Sequence, residues 1–283
     1  ACPTKYSALF LPRNTIKMKK TIIITGSSSG IGYSLAEFFG KKGYSVYGFS
    51  RKEVRSAYFT TIPTDITDNE QVKASVAKVI EREGRIDILI NNAGMGMVGA
   101  VEDATKDEIS RLFHLNLIGA VQMISAVMPS MRVQRSGQII NISSIGSEMG
   151  LPFRGFYSAS KSALDKVTEA LRYEVAPWGV QVCTLHLGDI KTNIAAHRIR
   201  TSVSVPYESV FSKVYPLMNA DVDKGIAPEA VAIYTEKLLA KRRWRAHYYF
   251  GKIGQKIGVP LKWLLPQNLY EWLMKKYSGL SSH

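Results

Sequence analysis

The chain has 283 residues, of which 46% are hydrophobic and 21% are charged. This is a globular composition with enough apolar residues for a sizeable core, and it argues against a disordered chain. The two cysteines, Cys2 and Cys183, argue against a disulfide framework or a cysteine metal site, and we expect no metal ion. The net charge of +14 comes almost entirely from the two ends, and the nearly neutral middle argues against nucleic-acid binding.

The first residues differ in character from the rest of the chain. Residues 1–17 contain one short apolar patch broken by Pro12, and Met18 opens the stretch MKKTIIITG. We therefore expect residues 1–17 to be a non-native or disordered extension, and we do not expect a secretory signal there. No uninterrupted apolar run reaches the roughly 18 residues that a bilayer requires, so we expect a cytoplasmic protein.

From Thr21 onward, short apolar or β-branched runs alternate with longer stretches that have helical spacing. The apolar runs cover residues 21–25, 44–49, 86–90, 137–142 and 180–185, and the helical stretches include 31–42, 69–83, 106–131 and 157–176. Strands and helices that alternate in this way predict βαβ units and a parallel sheet. The sequence thus predicts the α/β class, with a single doubly wound sheet over residues 18–240 and helices on both faces.

A glycine-rich loop follows the first predicted strand. The stretch TGSSSGIG places Gly26, Gly30 and Gly32 between that strand and the first helix. Gly26 permits a tight turn, Gly30 lets the backbone approach a pyrophosphate, and Gly32 lets the helix pack on the strand. The helix N-terminus offers unpaired N–H groups to phosphates, so we expect a dinucleotide here.

The end of the second predicted strand indicates which dinucleotide binds. An acidic residue there would accept from the 2′-hydroxyl of NAD, but this chain has Ser50 and Arg51. A hydroxyl and a guanidinium suit a 2′-phosphate, which favours NADP over NAD. The alternative is that Arg51 is a solvated loop arginine.

A tyrosine and a lysine lie one helical turn apart in the stretch YSASK, as Tyr157 and Lys161. Hydride transfer at a carbonyl carbon requires proton transfer at its oxygen, and a phenol with a pKa near 10 is a poor base at pH 7. We expect the Lys161 ammonium to favour the phenolate and lower the pKa of Tyr157. The small residues between them would let a nicotinamide lie against the helix.

These features together resemble the short-chain dehydrogenase/reductase family. The resemblance rests on the glycine loop after Thr25, on NNAG at 91–94, and on Ser144, which lies thirteen residues before Tyr157. It implies that Asn116, Ser144, Tyr157 and Lys161 are catalytic, with Ser144 bonding the substrate oxygen and Asn116 holding a water near Lys161. It also implies a cofactor site formed by Gly26, Ser28, Ser29, Gly30, Ile31, Gly32, Ser50, Arg51, Asp65, Ile66, Asn92, Ala93, Gly94, Tyr157, Lys161, Gly188, Ile190 and Thr192.

Two positions depart from the family pattern. Leu187 stands where members usually have the proline of Pro-Gly, which puts the turn before Gly188 in doubt. Ser29 stands where NADP-dependent members often carry a basic residue. Neither departure removes the resemblance, which implies an oxidoreductase that interconverts an alcohol and a ketone or aldehyde. The alternative is a non-catalytic dinucleotide-binding regulatory protein on the same fold, which would not need the catalytic residues.

The remaining expectations concern the substrate and partners. Residues 192–228 should form an apolar substrate loop, and the stretch GLPFRGFY at 150–157 adds Leu151, Phe153 and Phe156. That stretch resembles members that act on hydroxysteroids and retinoids, so we expect a lipophilic alcohol or carbonyl substrate. Residues 241–283 form a basic, aromatic C-terminal extension. We expect it to pack over the cleft, and peripheral membrane contact is the alternative. The family resemblance also predicts a homodimer or homotetramer.

Overall fold

A seven-stranded parallel sheet forms the centre of the protein. The structure is a computed structural model that describes residues 19–280, so the predicted extension over 1–17 lies outside the described residues. The sheet order is β3-β2-β1-β4-β6-β7-β9, and β5 and β8 form a separate parallel pair. The strands are β1 Thr21–Thr25, β2 Ser45–Ser50, β3 Thr60–Pro63, β4 Ile88–Asn91, β5 Met97–Val98, β6 Gly137–Ser144, β7 Val180–Leu187, β8 Ile199–Arg200 and β9 His247–Phe250.

Helices cover both faces of the main sheet, as predicted. The helices are α1 Gly30–Lys41, α2 Asn69–Glu83, α3 Lys106–Phe113, α4 Ala120–Gln134, α5 Gly155–Val175, α6 Val205–Asp223, α7 Pro228–Leu239, α8 Ile253–Leu264 and α9 Gln267–Tyr277. Successive residues of β1 point to opposite faces. Ile22 and Ile24 therefore pack with residues of α1 and α7, while Ile23 packs with residues of α2 and α4. Cys183 is fully buried in the same hydrophobic cluster as Ile22 and Ile24.

The predicted helix over 106–131 is a longer and less regular element. A π-helical segment, His114–Gly119, joins α3 to α4 without a break. By length and composition this run, Lys106–Gln134, could cross a membrane, although 44% of its most apolar window is buried inside the protein. The run packs against the sheet through residues such as Met123 and Val127, so its apolar character is explained by the core.

The expected substrate loop over 192–228 contains a long helix. Residues Val205–Asp223 form α6, which buries Phe211, Val214, Met218 and Val222. The loop prediction was wrong for this part. Pro206 is compatible with the helix because it lies in the first turn of α6, where the N–H group that proline lacks would have no partner within the helix. Pro216 lies inside the helix and did not prevent it from forming.

The C-terminal segment completes the sheet and then returns to the strand ends. The predicted division near residue 240 falls between α7 and β9. Strand β9 pairs in parallel with β7, with Thr184 opposite His247 and Leu187 opposite Phe250. Helices α8 and α9 follow, and both contribute residues to the cleft described below.

Candidate active site

A cleft of about 1680 Å³ opens at the carboxyl ends of the parallel strands. Ligands bind at this edge of open α/β sheets. The cleft is lined by every predicted site residue except Gly32 and Asn116, which are buried beside it. The lining residues among the predictions are Gly26, Ser28, Ser29, Gly30, Ile31, Ser50, Arg51, Asp65, Ile66, Asn92, Ala93, Gly94, Ser144, Tyr157, Lys161, Gly188, Ile190 and Thr192.

The glycine loop has the shape that a pyrophosphate needs. Gly26 and Gly30 have φ values of 69° and 55°, a region that favours glycine. A Cβ on Gly32 would overlap the Gly26 carbonyl, so α1 can lie close to β1 only with glycine at this position. Ser29 precedes α1 and makes no side-chain cap, which leaves first-turn N–H groups available to a phosphate. These residues fit a dinucleotide.

Thr25 ties the glycine loop to the NNAG stretch. Its hydroxyl oxygen accepts from the backbone N–H groups of Asn92 and Ala93, each at 3.0 Å. The Asn92 amide in turn donates to Thr25 O at 3.0 Å. A Cβ on Gly26 would lie 2.9 Å from Ala93 Cα, which shows how closely the two loops approach. Thr25 therefore holds two walls of the candidate dinucleotide site together.

Ser50, Arg51 and Asp65 lie at the end of the cleft expected to hold the adenosine. Ser50 is buried at the end of β2, and its hydroxyl donates to Lys52 O at 2.6 Å. Arg51 is exposed on the rim of the cleft. Asp65 Oδ1 accepts from the N–H and hydroxyl of Thr67, at 3.0 and 2.7 Å, which fixes the turn after β3.

The end of β6 and the first turns of α5 bring together Ser144, Tyr157 and Lys161. Ser144 is the last residue of β6, and its Oγ accepts from Gly146 N at 3.0 Å. Tyr157 and Lys161 both lie near the start of α5, which begins at Gly155. Lys161 is buried, and its ammonium donates to Ile142 O at 2.8 Å. A backbone carbonyl of β6 thus fixes the position of the lysine.

The pKa of the Tyr157 phenol differs from the expectation. Burial raises the pKa of Tyr157, while the nearby Ser144 hydroxyl and the charges of Arg154 and Arg198 oppose that rise. Lys161 was expected to lower this pKa, but the effect of burial is larger and the pKa is raised. Its ammonium is held by Ile142 O, and burial lowers the pKa of Lys161 itself to about 8. The phenol is therefore protonated at neutral pH.

Asn116 lies in the π-helical segment and is fully buried. Its Oδ1 accepts from Met95 N at 2.8 Å, and its Nδ2 donates to Met95 O and Ser160 Oγ at 2.9 and 3.0 Å. Through these bonds the Asn116 side chain positions both the loop at Met95 and helix α5. A Cβ on Gly94 would lie 3.1 Å from Asn116 Oδ1 and 3.3 Å from Lys161 Nζ. Both polar groups therefore lie against Gly94.

The turn after β7 forms despite Leu187. Gly188 N donates to Phe250 O at 2.8 Å, and Thr192 Oγ1 donates to Ile190 O at 3.4 Å. A Cβ on Gly188 would overlap the side chain of Gln255 from α8. The C-terminal segment thus supports the turn that the missing proline put in doubt.

The lining of the cleft by α8 and α9 agrees with the expectation that the C-terminal extension packs over it, but the sequence analysis did not identify the individual residues of this wall. Apolar side chains from the 95–98 stretch and from α8 and α9 line it, together with two arginines and an aspartate: Met95, Met97, Val98, Arg154, Asp189, Arg198, Leu261, Tyr270, Leu273 and Met274. Only Arg154 carried a local signal, since it lies three residues before Tyr157. The others come from distant segments that meet only in the fold.

Comparison with known proteins identifies the family. The family model described as "short chain dehydrogenase" matches residues 20–202, which is more than half of the chain. The chain belongs to the short-chain dehydrogenase/reductase family. It is therefore an NAD(P)-binding oxidoreductase that acts on CH–OH groups.

Individual relatives cover nearly the whole chain. A 3-ketodihydrosphingosine reductase from Bacteroides thetaiotaomicron is 36% identical over 263 residues, which are 92% of this chain and 98% of that protein. A short-chain dehydrogenase from Streptomyces avermitilis has a TM-score of 0.78 at 29% identity, covering 94% of this chain and 99% of that one. ElxO with NADP bound has a TM-score of 0.69 at 26% identity, covering 81% of this chain and 96% of that one.

Proposed function

We propose that this short-chain dehydrogenase/reductase uses NADPH to reduce a lipophilic ketone to the secondary alcohol. The observation that carries the proposal is the single cleft in which the glycine loop, the Ser144–Tyr157–Lys161 group and an apolar wall meet. The raised pKa of Tyr157 supports reduction, because a phenol that keeps its proton at neutral pH is ready to donate it.

Each side chain has a role in this proposal. Ser144 Oγ bonds the substrate oxygen, and the Tyr157 phenol donates a proton to that oxygen as it becomes an alkoxide. Lys161, held by Ile142 O, keeps a positive charge at the site. Asn116 positions α5 through Ser160. The nicotinamide supplies the hydride when bound, and the residues from Gly26 to Gly32 and from Asn92 to Gly94 hold the dinucleotide.

The substrate class follows from the apolar wall and from one relative. Met97, Val98 and Leu151 of the cleft are buried, as expected for a surface that binds hydrocarbon. The Bacteroides relative is named for 3-ketodihydrosphingosine, which is a long-chain amino ketone. We therefore propose a long-chain ketone. The test is NADPH oxidation, followed by absorbance, with 3-ketodihydrosphingosine and a panel of steroid and long-chain ketones. Absence of turnover across the panel would reject the proposal.

We expect the unmodified protein to bind NADPH at least about tenfold more tightly than NADH. Ser50 and Arg51 support this preference, since a guanidinium–phosphate contact changes affinity by about tenfold to 150-fold. Arg51→Ala should remove most of the preference by weakening NADPH. Ser50→Asp should favour NADH, because a carboxylate repels the 2′-phosphate. Fluorescence titration with both cofactors measures each dissociation constant.

Arg55 provides the matched control for this titration. It is exposed, lies four residues from Arg51 and does not line the cleft, so Arg55→Ala removes the same charge elsewhere. The control should bind both cofactors as the unmodified protein does. Equal affinities of the unmodified protein for NADPH and NADH would mean that Arg51 points into solvent, and the NADP assignment would be withdrawn.

We propose further that α8 and α9 contact an anionic membrane surface. Their outer faces expose large apolar side chains, including Trp263 at 78%, Leu264 at 76% and Trp272 at 50%. Lysines accompany them, and Lys262 and Lys276 lie over the rings of Trp263 and Trp272. Basic residues beside exposed tryptophan and leucine are typical of helices that lie in a membrane interface. Because the same helices line the cleft, a lipid substrate would have a short path to Tyr157.

The triple variant Trp263→Ser, Leu264→Ser, Trp272→Ser should lose most of its binding to vesicles that contain anionic lipid. Each removed side chain contributes about 1.5–3 kcal/mol when fully buried in hydrocarbon, so their combined loss is large even at partial burial. Co-sedimentation with vesicles measures the bound fraction. Val133→Ser is the control, because Val133 is 87% exposed on α4. Equal sedimentation of the triple variant and the control would contradict membrane contact.

Self-association remains a prediction. The family resemblance points to pairing through the helical run from 106 and through α5. Their outer faces expose apolar side chains, such as Ile118 at 40% and Tyr173 at 83%. These exposed side chains support a homodimer or homotetramer, and the membrane test above does not depend on it.

A further inference from the structure

Two arginines line the cleft beside Tyr157 and are not used by the proposed mechanism. Arg154 immediately precedes α5, three residues before Tyr157. Arg198 immediately precedes β8, and its side chain lies across Gly96, where a Cβ would come within 2.8 Å of Arg198 Cγ. The charges of both arginines act on the Tyr157 phenol. Two cations thus lie close to the point where the carbonyl is reduced.

These two cations have few hydrogen-bond or ion-pair partners among the residues that the structure describes. Arg154 Nε is buried and has no hydrogen-bond partner among residues 19–280. Arg198 donates to Asn219 Oδ1 at 2.8 Å. In the part of the chain that the structure describes, neither guanidinium forms an ion pair. Burial, and then repulsion by Arg154, lower the pKa of Arg198. Holding two partly buried like charges together costs free energy, which an anion from outside would offset.

Asp189 lies on the same wall but leaves an excess of positive charge. Gln255 Nε2 donates to Asp189 Oδ2, and Asp189 N donates to Gln255 Oε1 at 3.3 Å, so α8 holds this residue. Burial, and then repulsion by Asp221, raise the pKa of Asp189, while the charge of Arg154 opposes that rise. No ion pair joins Asp189 to either arginine among the described residues. Asp189 and Asp221 lie near Arg154, Arg198 and Lys252, so the positive charges outnumber the negative ones, and neither guanidinium has a carboxylate in direct contact among the described residues.

We propose that Arg154 and Arg198 bind an anionic group of the ketone substrate, a carboxylate, sulfonate or phosphate close to the reacting carbonyl. The inference rests on the proposed ketone reduction and narrows its substrate class to anionic amphiphiles, so we expect the amino ketone 3-ketodihydrosphingosine, a cation, to be a poorer substrate than a ketone with an anionic group. Arginine is suited to this role because its planar fork matches the oxygens of such groups. The hydrocarbon chain then lies along the apolar wall that includes Met97 and Leu151.

The test uses two long-chain ketones with the same chain, one carrying a sulfonate near the carbonyl and the other a hydroxyl. We expect the unmodified protein to prefer the sulfonate ketone at least about tenfold in kcat/KM. Arg154→Gln and Arg198→Gln should each lower kcat/KM for that ketone by about tenfold to a hundredfold, mainly through KM. Turnover of the hydroxyl ketone should change by less than about threefold, and Arg198→Lys should retain part of the preference.

Arg200→Gln is the matched control. Arg200 is exposed on β8, two residues beyond Arg198, and lies 4.8 Å from the centre of the Tyr215 ring, outside the cleft wall. It should leave the preference for the sulfonate ketone unchanged. An equal loss of turnover for both ketones in the Arg198 variant would overturn the proposal, because the arginine would then act only on Tyr157. A selective loss of NADPH affinity would also overturn it, because the arginines would then bind the cofactor.

A binding measurement separates this proposal from the proposed reaction. If neither ketone is reduced, the proposed ketone reduction fails, and calorimetry with a long-chain alkyl sulfonate still decides the anion site. Binding by the unmodified protein that is lost in Arg154→Gln and Arg198→Gln, but kept in Arg200→Gln, supports the site. No binding by the unmodified protein overturns it.

Discussion

Replacing Tyr157 with phenylalanine should lower kcat by about a hundredfold to ten-thousandfold while leaving the dissociation constant of NADPH nearly unchanged. The substitution removes only the hydroxyl, so the ring continues to occupy the start of α5. The phenol keeps its proton at neutral pH because burial raises its pKa. Without it, the developing alkoxide has Ser144 as a hydrogen-bond donor but lacks a proton donor.

Single-turnover absorbance with NADPH and the best ketone measures the loss, and fluorescence titration measures cofactor binding. Tyr173→Phe is the matched control, because Tyr173 lies on the same helix and is 83% exposed. The control should keep full activity. Turnover of Tyr157→Phe within about threefold of the unmodified protein would reject the proton-donor role.

Replacing Lys161 with methionine should stabilise the protein and stop the reaction. The pKa of Lys161 falls from 10.5 to about 8 because the ammonium is buried. This difference corresponds to a net cost of about 3 kcal/mol in the folded state, which already includes the part that the charge of Asp165 offsets. Lys161→Met removes the cost, so the free energy of unfolding at pH 7 should rise by about 2–3 kcal/mol. Turnover should fall because the positive charge beside the site is lost.

The stability cost of burying the Lys161 charge should depend on pH, and this dependence can be tested. Below pH 8 both folded and unfolded states hold the Lys161 proton, and the folded protein bears the full cost of burying the charge. Between pH 8 and 10.5 the folded state loses the proton first, so the cost falls as the pH rises. The stability gap between Lys161→Met and the unmodified protein should thus shrink by about half between pH 7 and pH 9.5.

Urea unfolding at both pH values measures the gap. Lys166→Met is the control, because the Lys166 side chain is 72% exposed and pairs with Glu169 at the surface. It should not stabilise the protein at either pH. A loss of stability in Lys161→Met at pH 7 would show that the bond to Ile142 O outweighs the cost of burial.

The main sheet was predictable because its strands are buried on both faces. The runs at 21–25, 137–142 and 180–185 are continuous apolar or β-branched stretches, a pattern typical of central parallel strands. Strand β9 was missed because it has four residues and follows a run of basic residues. Its strand conformation depends on the pairing with β7, which no local pattern records.

The candidate site was predictable where all the residues of one functional feature lie within a single short segment of the sequence. The glycine loop and the Tyr157–Lys161 pair are of this kind. The expected lowering of the Tyr157 pKa was not confirmed, because the burial that raises this pKa comes from tertiary packing, which spacing along one helix does not reveal. Arg198 reaches the cleft through tertiary packing, so it could not be predicted from local sequence. The C-terminal extension was expected to pack over the cleft, but the residues with which it lines the cleft depend on the fold.

Strand β9 also bears on how the protein is made. It covers the outer edge of β7 from Thr184 to Leu187, and its residues are made long after those of β7. Most of the chain must therefore emerge from the ribosome before β9 can cover this edge. Until then the edge can pair with another nascent chain, since unpaired strand edges promote aggregation. A message that is cut short before residue 247 would yield a product with that edge left open.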